Sequence, residues 1–296
     1  MKRKVLKIIL YICGIFCIVY PIYSKFLSYK NQTTSIYDYK KEIENMDQAL
    51  LDEKRKNSEE FNRENSTETT VIDPNTINAN DNLASSYSFL EVGETIGYIT
   101  IPKINIELPI YEGVTVNNLS KGVSHMENTS LPNGNINTHS ILAGHTGISQ
   151  AVIFDNLDEL ELDDEFYISY YGKTTKYKVI EERIVLPEET NGLKVEEGKC
   201  LVTLVTCTPK TVNTHRLLVT GQKVEEELIV DDVEEKNEQE QVIEEIRPKT
   251  DIELFMEFMK ANKQTFIFIL LIIIFFIIIN IISKIKKIIK SRKKRE

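Results

Sequence analysis

The chain of 296 residues contains only four cysteines, and they outline no disulfide framework. Cys13 and Cys17 fall in an early apolar run, and Cys200 and Cys207 in a later β-like segment. At that odd spacing on one strand, Cys200 and Cys207 face opposite sides and cannot readily bridge. A basic face is also missing. The formal net charge is −9, and the basic residues crowd the tips: Lys2, Arg3, Lys4 and Lys7 at one end, Lys284 to Arg295 at the other. Setting the tips aside leaves about −20 on the rest, which argues against DNA or RNA as a partner. No metal-ligand set is apparent either. The acidic cluster Asp163-Asp164-Glu165 lacks matching ligands and reads as a solvated turn, so no metal or other cofactor is expected.

Two apolar runs stand out. The first, Val5 to Leu27, has no charge between Lys7 and Lys25 and is long enough to span a bilayer. Tyr20-Pro21-Ile22-Tyr23 offers no small-residue cleavage site, so an uncleaved anchor is expected. The second, Thr265 to Ile282, is near the lower length limit, with Asn280 as its strong polar interruption. The basic run after it, Lys284-Ile285-Lys286-Lys287 and Arg292-Lys293-Lys294-Arg295, argues against a buried core helix. By the positive-inside rule, a two-pass cell-membrane protein results, with both termini cytoplasmic and the acidic middle extracellular.

Between the runs, Ile36, Tyr39, Ile43, Met46, Leu50 and Leu51 recur at helical spacing and predict an amphipathic stalk. A polar loop follows through Asp73-Pro74-Asn75. From Ile96 the texture changes to short β-branched and aromatic runs: Gly97 to Pro102, Ile104 to Tyr111, Ser140 to Ala143, Leu201 to Cys207 and Arg216 to Gln222. Phe166 to Tyr171 and Thr175 to Arg183 flank Gly172-Lys173 as a hairpin, and Gln150 to Leu157 reads as one short helix with Ala151, Phe154 and Leu157 inward. The pattern predicts a mainly β barrel or sandwich. The expected segments are an anchor at 1–28, stalk and loop at 29–95, the β domain at 96–224, an acidic spacer at 225–264, a membrane helix at 265–283 and a basic tail at 284–296.

Cys207 ends an apolar strand and precedes Thr208-Pro209, which places its thiol at a rim. A lone cysteine is commonly an inert buried thiol, because only a thiolate attacks well. A nucleophile needs a base or cation and a donor for the oxyanion. His145 lies in the glycine-flanked turn Gly144-His145-Thr146-Gly147, and Arg216 begins the strand after Cys207 at the spacing of two neighbouring strands. The residues alone leave open an ordinary polar histidine and a surface arginine, with His125, His139 and His215 as competitors.

Thr203-Leu204-Val205-Thr206-Cys207-Thr208-Pro209, followed by Asn213-Thr214-His215-Arg216-Leu217-Leu218-Val219, resembles the active-site signature of sortases, particularly the pilin-polymerising class C. Gly97 to Lys103, Leu108-Pro109-Ile110-Tyr111, Gly122-Val123-Ser124-His125, Thr129-Ser130-Leu131-Pro132 and Leu186 to Thr190 are similar to family stretches as well. The resemblance implies a closed eight-stranded β-barrel with short helices, an N-terminal helical stalk and two transmembrane helices. It implies Cys207 as the thiolate nucleophile, His145 as an imidazolium that protonates the leaving amine and later deprotonates the incoming one, Arg216 as the guanidinium on the substrate carbonyl, and Thr206 as a substrate-contacting hydroxyl. It leaves His125 and His215 structural. The loop Asp73-Pro74-Asn75 resembles the class C lid, with Asn75 where an aromatic covers the cysteine and Asp73 able to pair with Arg216. The implied reaction cleaves a Leu-Pro-x-Thr-Gly-like signal between Thr and Gly, forms a thioester on Cys207 and passes the acyl group to an amine. A pilin lysine is the expected amine, with a peptidoglycan-precursor amine, hydrolysis by water, or a non-catalytic membrane scaffold as alternatives.

Overall fold

A computed structural model describes residues 2–64, 89–148, 151–190, 193–224 and 248–264, together with 266, 267, 278, 281, 282 and 285. Contacts divide the chain into two units, Met1–Pro248 and Lys249–Glu296.

In the first unit, helix α1 (Lys2–Asn45) continues through Pro21, and α2 (Gln48–Glu64) follows after a short break. Anchor and stalk, expected as separate segments, are therefore one helix at the backbone level. Eight strands follow: β1 (Thr95–Ile101), β2 (Ile106–Glu112), β3 (Val123–His125), β4 (Thr138–Ala143), β5 (Glu165–Tyr170), β6 (Lys173–Val185), β7 (Cys200–Thr208) and β8 (His215–Lys223). They close into a barrel in the order β1-β2-β3-β4-β7-β8-β6-β5. Closure removes the unpaired edges that an open sheet would leave. All pairings are antiparallel except β2 with β3 and β4 with β7.

One core cluster fills the interior from every strand, including Ile99, Ile110, Val123, Leu142, Ile168, Val179, Leu204 and Leu217. A second lies on the other face of β4, β7 and β8, where Ile141, Ala143, Val205 and Leu218 pack with Val114, Leu119, Met126 and Leu193. Strand β7 is buried on both faces, which explains why its sequence is apolar almost throughout rather than alternating.

The turn between β5 and β6 consists of Tyr171 and Gly172, both with positive φ (41° and 74°). Two left-handed central residues fit the twist of a hairpin, but a tyrosine adopts that conformation only when held. The helices hold it: the Tyr39 hydroxyl of α1 accepts from the Tyr171 amide at 2.6 Å, and Arg55 of α2 donates to the Tyr171 carbonyl at 3.0 and 2.6 Å. Tyr39 also donates to the Ile96 carbonyl of β1 at 3.1 Å. Asn62 clamps Leu131 with bonds to its carbonyl (2.9 Å) and amide (2.8 Å). The stalk is thus a buttress fixed to the barrel wall.

Two expectations change, and one helix is added. Gln150 to Leu157 is not an α-helix; among the described residues it is a turn leading to a 3-10 turn at Leu157–Glu159. Asp155 takes the amides of Gly147 and Ile153 at 3.1 Å each, and a side chain that caps its own neighbourhood competes with helical bonding. Ala151, Phe154 and Leu157 are nevertheless buried as expected. Helix α3 (Val116–Lys121), capped by Thr115, was not foreseen. In the second unit, α4 (Asp251–Ala261) occupies part of the expected acidic spacer, started by the reciprocal capping pair Thr250 and Glu253.

Among the described residues no helix is long and apolar enough to cross a membrane. Several side chains of the first apolar run and most of 265–282 lie outside those residues. The two expected transmembrane helices therefore find no support there. The loop Asp73-Pro74-Asn75 also lies outside the described residues.

Candidate active site

Residues Cys207 and Arg216 are direct partners across the β7–β8 ladder, which brings their side chains to one face. That face is the one of Val205 and Leu218, two residues back on each strand, so the pair opens on the outer wall and not into the interior. Strand β4 runs parallel to β7 with Ala143 opposite Val205, and the Gly144 amide prolongs the ladder to the Val205 carbonyl at 3.0 Å. Continued two residues past Ala143, that register would bring position 145 level with Cys207. Cys207 and Arg216 thus share one row on β7 and β8, and the turn that carries His145 adjoins it through the Gly144 amide.

The chain secures this row from beneath. Thr206 is buried, and its hydroxyl donates to the Gly144 carbonyl at 2.8 Å, tying the residue before the nucleophile to the residue before the histidine. The His145 carbonyl accepts from the Phe154 amide at 3.0 Å, which fixes the exit of the turn. Phe154 in turn fills the space at Gly144, where a β-carbon would lie 2.5 Å from its ring. Only glycine admits that approach. On the far side, Lys210 of the β7–β8 loop pairs with Asp158 at 3.1 Å and links the two loops flanking the row.

Cys207 is buried to 8 % exposure and Arg216 to 3 %. All four cysteines are thiols, and Cys200 sits on the opposite face of β7 against the Tyr177 hydroxyl and Thr138. Arg216 Nη1 donates to the carbonyls of Asn213 (3.0 Å) and His215 (2.9 Å), which orients the guanidinium from its own loop. Partial burial lowers the His145 pKa from its ordinary value and so disfavours the imidazolium that the resemblance implies. A neutral imidazole beside a thiol can take its proton, and a fixed guanidinium can hold an oxygen that gains negative charge.

The competing histidines are occupied elsewhere. His125 is fully buried in the interior, with Nδ1 2.9 Å from Glu112 Oε2 and Nε2 3.0 Å from the Ser130 carbonyl. Glu112 was not singled out in the sequence; a carboxylate two residues beyond interior Ile110 on the same strand face was the available signal. His139 bonds the Lys194 carbonyl and Thr203, and His215 bonds Thr214. Of the acidic cluster, Asp164 binds Lys103 at 2.7 Å and Glu165 binds Lys176 at 2.7 Å.

The sortase domain model matches residues 99–224, from β1 through β8. Sortase C1 of GBS pilus island 1 is 33% identical, with a TM-score of 0.60 over 68% of this chain and 97% of its own. The chain belongs to the sortase family. Sortase C of Clostridium perfringens, solved with a C-terminal cell wall sorting motif, is 38% identical, with a TM-score of 0.57 over 65% of this chain and 99% of its own. Sortase D of Bacillus subtilis is 35% identical over 45% of this chain, and the match spans 65% of that relative's length. Sortases are cysteine transpeptidases, and these structural neighbours belong to class C.

Proposed function

We propose that this sortase polymerises pilins: it cleaves a Leu-Pro-x-Thr-Gly-like signal between Thr and Gly and transfers the acyl group to a lysine amine of another surface protein. The observation that supports the reading is the pairing of Cys207 with Arg216 across β7 and β8, with His145 in the turn that follows β4. In this mechanism the Cys207 sulfur adds to the threonine carbonyl while its proton passes to neutral His145. Arg216 holds the carbonyl oxygen as it becomes an oxyanion. The tetrahedral adduct expels the glycine amine, which takes the proton from His145, and a thioester remains. The lysine amine then attacks, surrenders a proton to His145, and displaces the sulfur, which recovers that proton. Likeness to class C structures favours a lysine over a wall-precursor amine.

The test incubates the full chain with a Leu-Pro-x-Thr-Gly peptide and a lysine-bearing acceptor. Isopeptide product is expected, abolished by Cys207→Ala. Free acid as the sole product would instead mark a hydrolase, and undiminished ligation by the alanine variant would remove Cys207 from its role.

The same reading sets the barrel outside a Gram-positive cell, held by membrane spans at Val5 to Leu27 and Thr265 to Ile282, with both basic ends in the cytoplasm. Support comes from the apolar lengths and flanking charge. Protease added to intact cells should digest the barrel; its complete protection would refute this topology.

A further inference from the structure

His139 joins two elements that the proposed chemistry leaves unexplained. It lies on β4, on the face that carries Ile141 and Ala143. Its Nδ1 is 2.8 Å from the Lys194 carbonyl in the loop between β6 and β7. Its Nε2 is 2.8 Å from Thr203 Oγ1, which is 2.8 Å from Thr220 Oγ1. A carbonyl only accepts, so the neutral ring carries its proton on Nδ1. Nε2 then accepts from Thr203, and Thr203 accepts from Thr220. The result is a directed chain of three hydrogen bonds from β8 through β7 and β4 out to the loop. Burial lowers the imidazole pKa and keeps that tautomer uncharged.

The loop leaves β6 at Val185, whose ladder partner is Arg216. Beside Lys194, Leu193 is buried against Val205 and Leu218, the row immediately beneath Cys207 and Arg216. The segment fastened by His139 therefore packs beside the row immediately beneath the nucleophile. We propose that His139 is a positioning residue: by pinning the Lys194 carbonyl it fixes the Leu193–Lys194 wall against which the acyl part of the sorting peptide rests. This inference rests on the assignment of Cys207 as the nucleophile. It makes the ring a determinant of peptide affinity and not of the bond-making step.

Two substitutions separate the two ends of the ring. His139→Asn places an amide N–H near the former Nδ1 and keeps the Lys194 link while giving up Thr203. His139→Gln reaches the Nε2 position, keeps Thr203 and releases Lys194. In the full chain, with a fluorogenic Leu-Pro-x-Thr-Gly peptide, His139→Gln should raise KM about five- to tenfold, the worth of one hydrogen bond, with kcat held. His139→Asn should restore KM to within about twofold of the unsubstituted chain. Hydrogen exchange should quicken at residues 193–195 in the glutamine variant alone. Equal KM values for all three proteins would overturn the proposal, as would a parallel loss in both variants that follows their melting temperatures. Alkylation of Cys207 by iodoacetamide distinguishes the two readings: it should proceed at the unsubstituted rate in both variants. If Cys207→Ala remains active, the nucleophile assignment fails and the wall proposal fails with it. A normal alkylation rate with unmoved KM refutes the wall alone.

Discussion

Replacing Gly144 by alanine would set a methyl carbon 2.5 Å from Cδ2, 2.8 Å from Cγ and 2.9 Å from Cε2 of Phe154. The backbone there is not left-handed, so alanine is acceptable to the main chain and would, in open space, stabilise by about 0.4–1 kcal/mol through the unfolded state. The ring decides the sign. Phe154 is 1 % exposed and packed into the interior cluster, and the new carbon would come about 1 Å inside ordinary contact distance. Overpacking of that kind costs about 1–3 kcal/mol, or roughly 2–10 °C in melting temperature for a domain of this size. Relief by moving the turn would displace His145, and a shift of about 1 Å at such a group costs on the order of 100-fold in rate. The expected result is therefore a modest fall in melting temperature and a large fall in kcat. Phe154→Leu in the same chain should recover much of both, giving a coupling of about 1 kcal/mol or more between the two sites. Calorimetry and the ligation assay on the two single variants and the double read this directly. An alanine variant with unaltered melting temperature and kcat, or strict additivity in the double, would refute the steric argument.

Burial pushes the His125 imidazole down, but the Glu112 carboxylate at 2.9 Å and the Ser130 carbonyl outweigh it and leave the pKa above its ordinary 6.5. A raised folded-state pKa contributes stability that is complete below pH 6.5 and is lost as pH rises through the folded value. Urea unfolding from pH 6 upward should show that decline, and Glu112→Gln should flatten it while costing roughly 3 kcal/mol at pH 6; a parallel pH dependence in the variant would count against the pair. Asn62→Ala strips partners from both the amide and the carbonyl of buried Leu131, and should lower unfolding free energy by about 2–3 kcal/mol with kcat retained. An unchanged urea midpoint would show that the clamp contributes nothing.

The strands that carry the site were readable because their residues announce them. The run from Leu201 to Cys207 and the restart at Arg216 fix a hairpin whose register brings that pair opposite each other. Strand β3 was hidden because Val123, Ser124 and His125 are all buried and too few to display alternation. The segment from Gln150 to Leu157 misled because its inward residues repeat at helical spacing, whereas the Asp155 side chain settles the local bonding against a helix. Helical periodicity marked the helices of the stalk, although Leu50 of its apolar set is exposed, but nothing in a one-dimensional pattern reveals that Tyr39, Arg55 and Asn62 reach partners far along the chain. The role of His139 was equally invisible, since its partners lie on a loop and on a strand far downstream in the chain.

The grip of α1 and α2 on β1 and on the β5–β6 turn has a mechanical consequence. In the closed ring β1 stands across from β7, which bears Cys207, and β5 across from β4, which leads into the turn of His145. Traction applied through the N-terminal helices enters the protein at Ile96 and Tyr171 and, through Asn62, at Leu131 between β3 and β4. A pull along the helices is thereby shared among several points of the barrel wall.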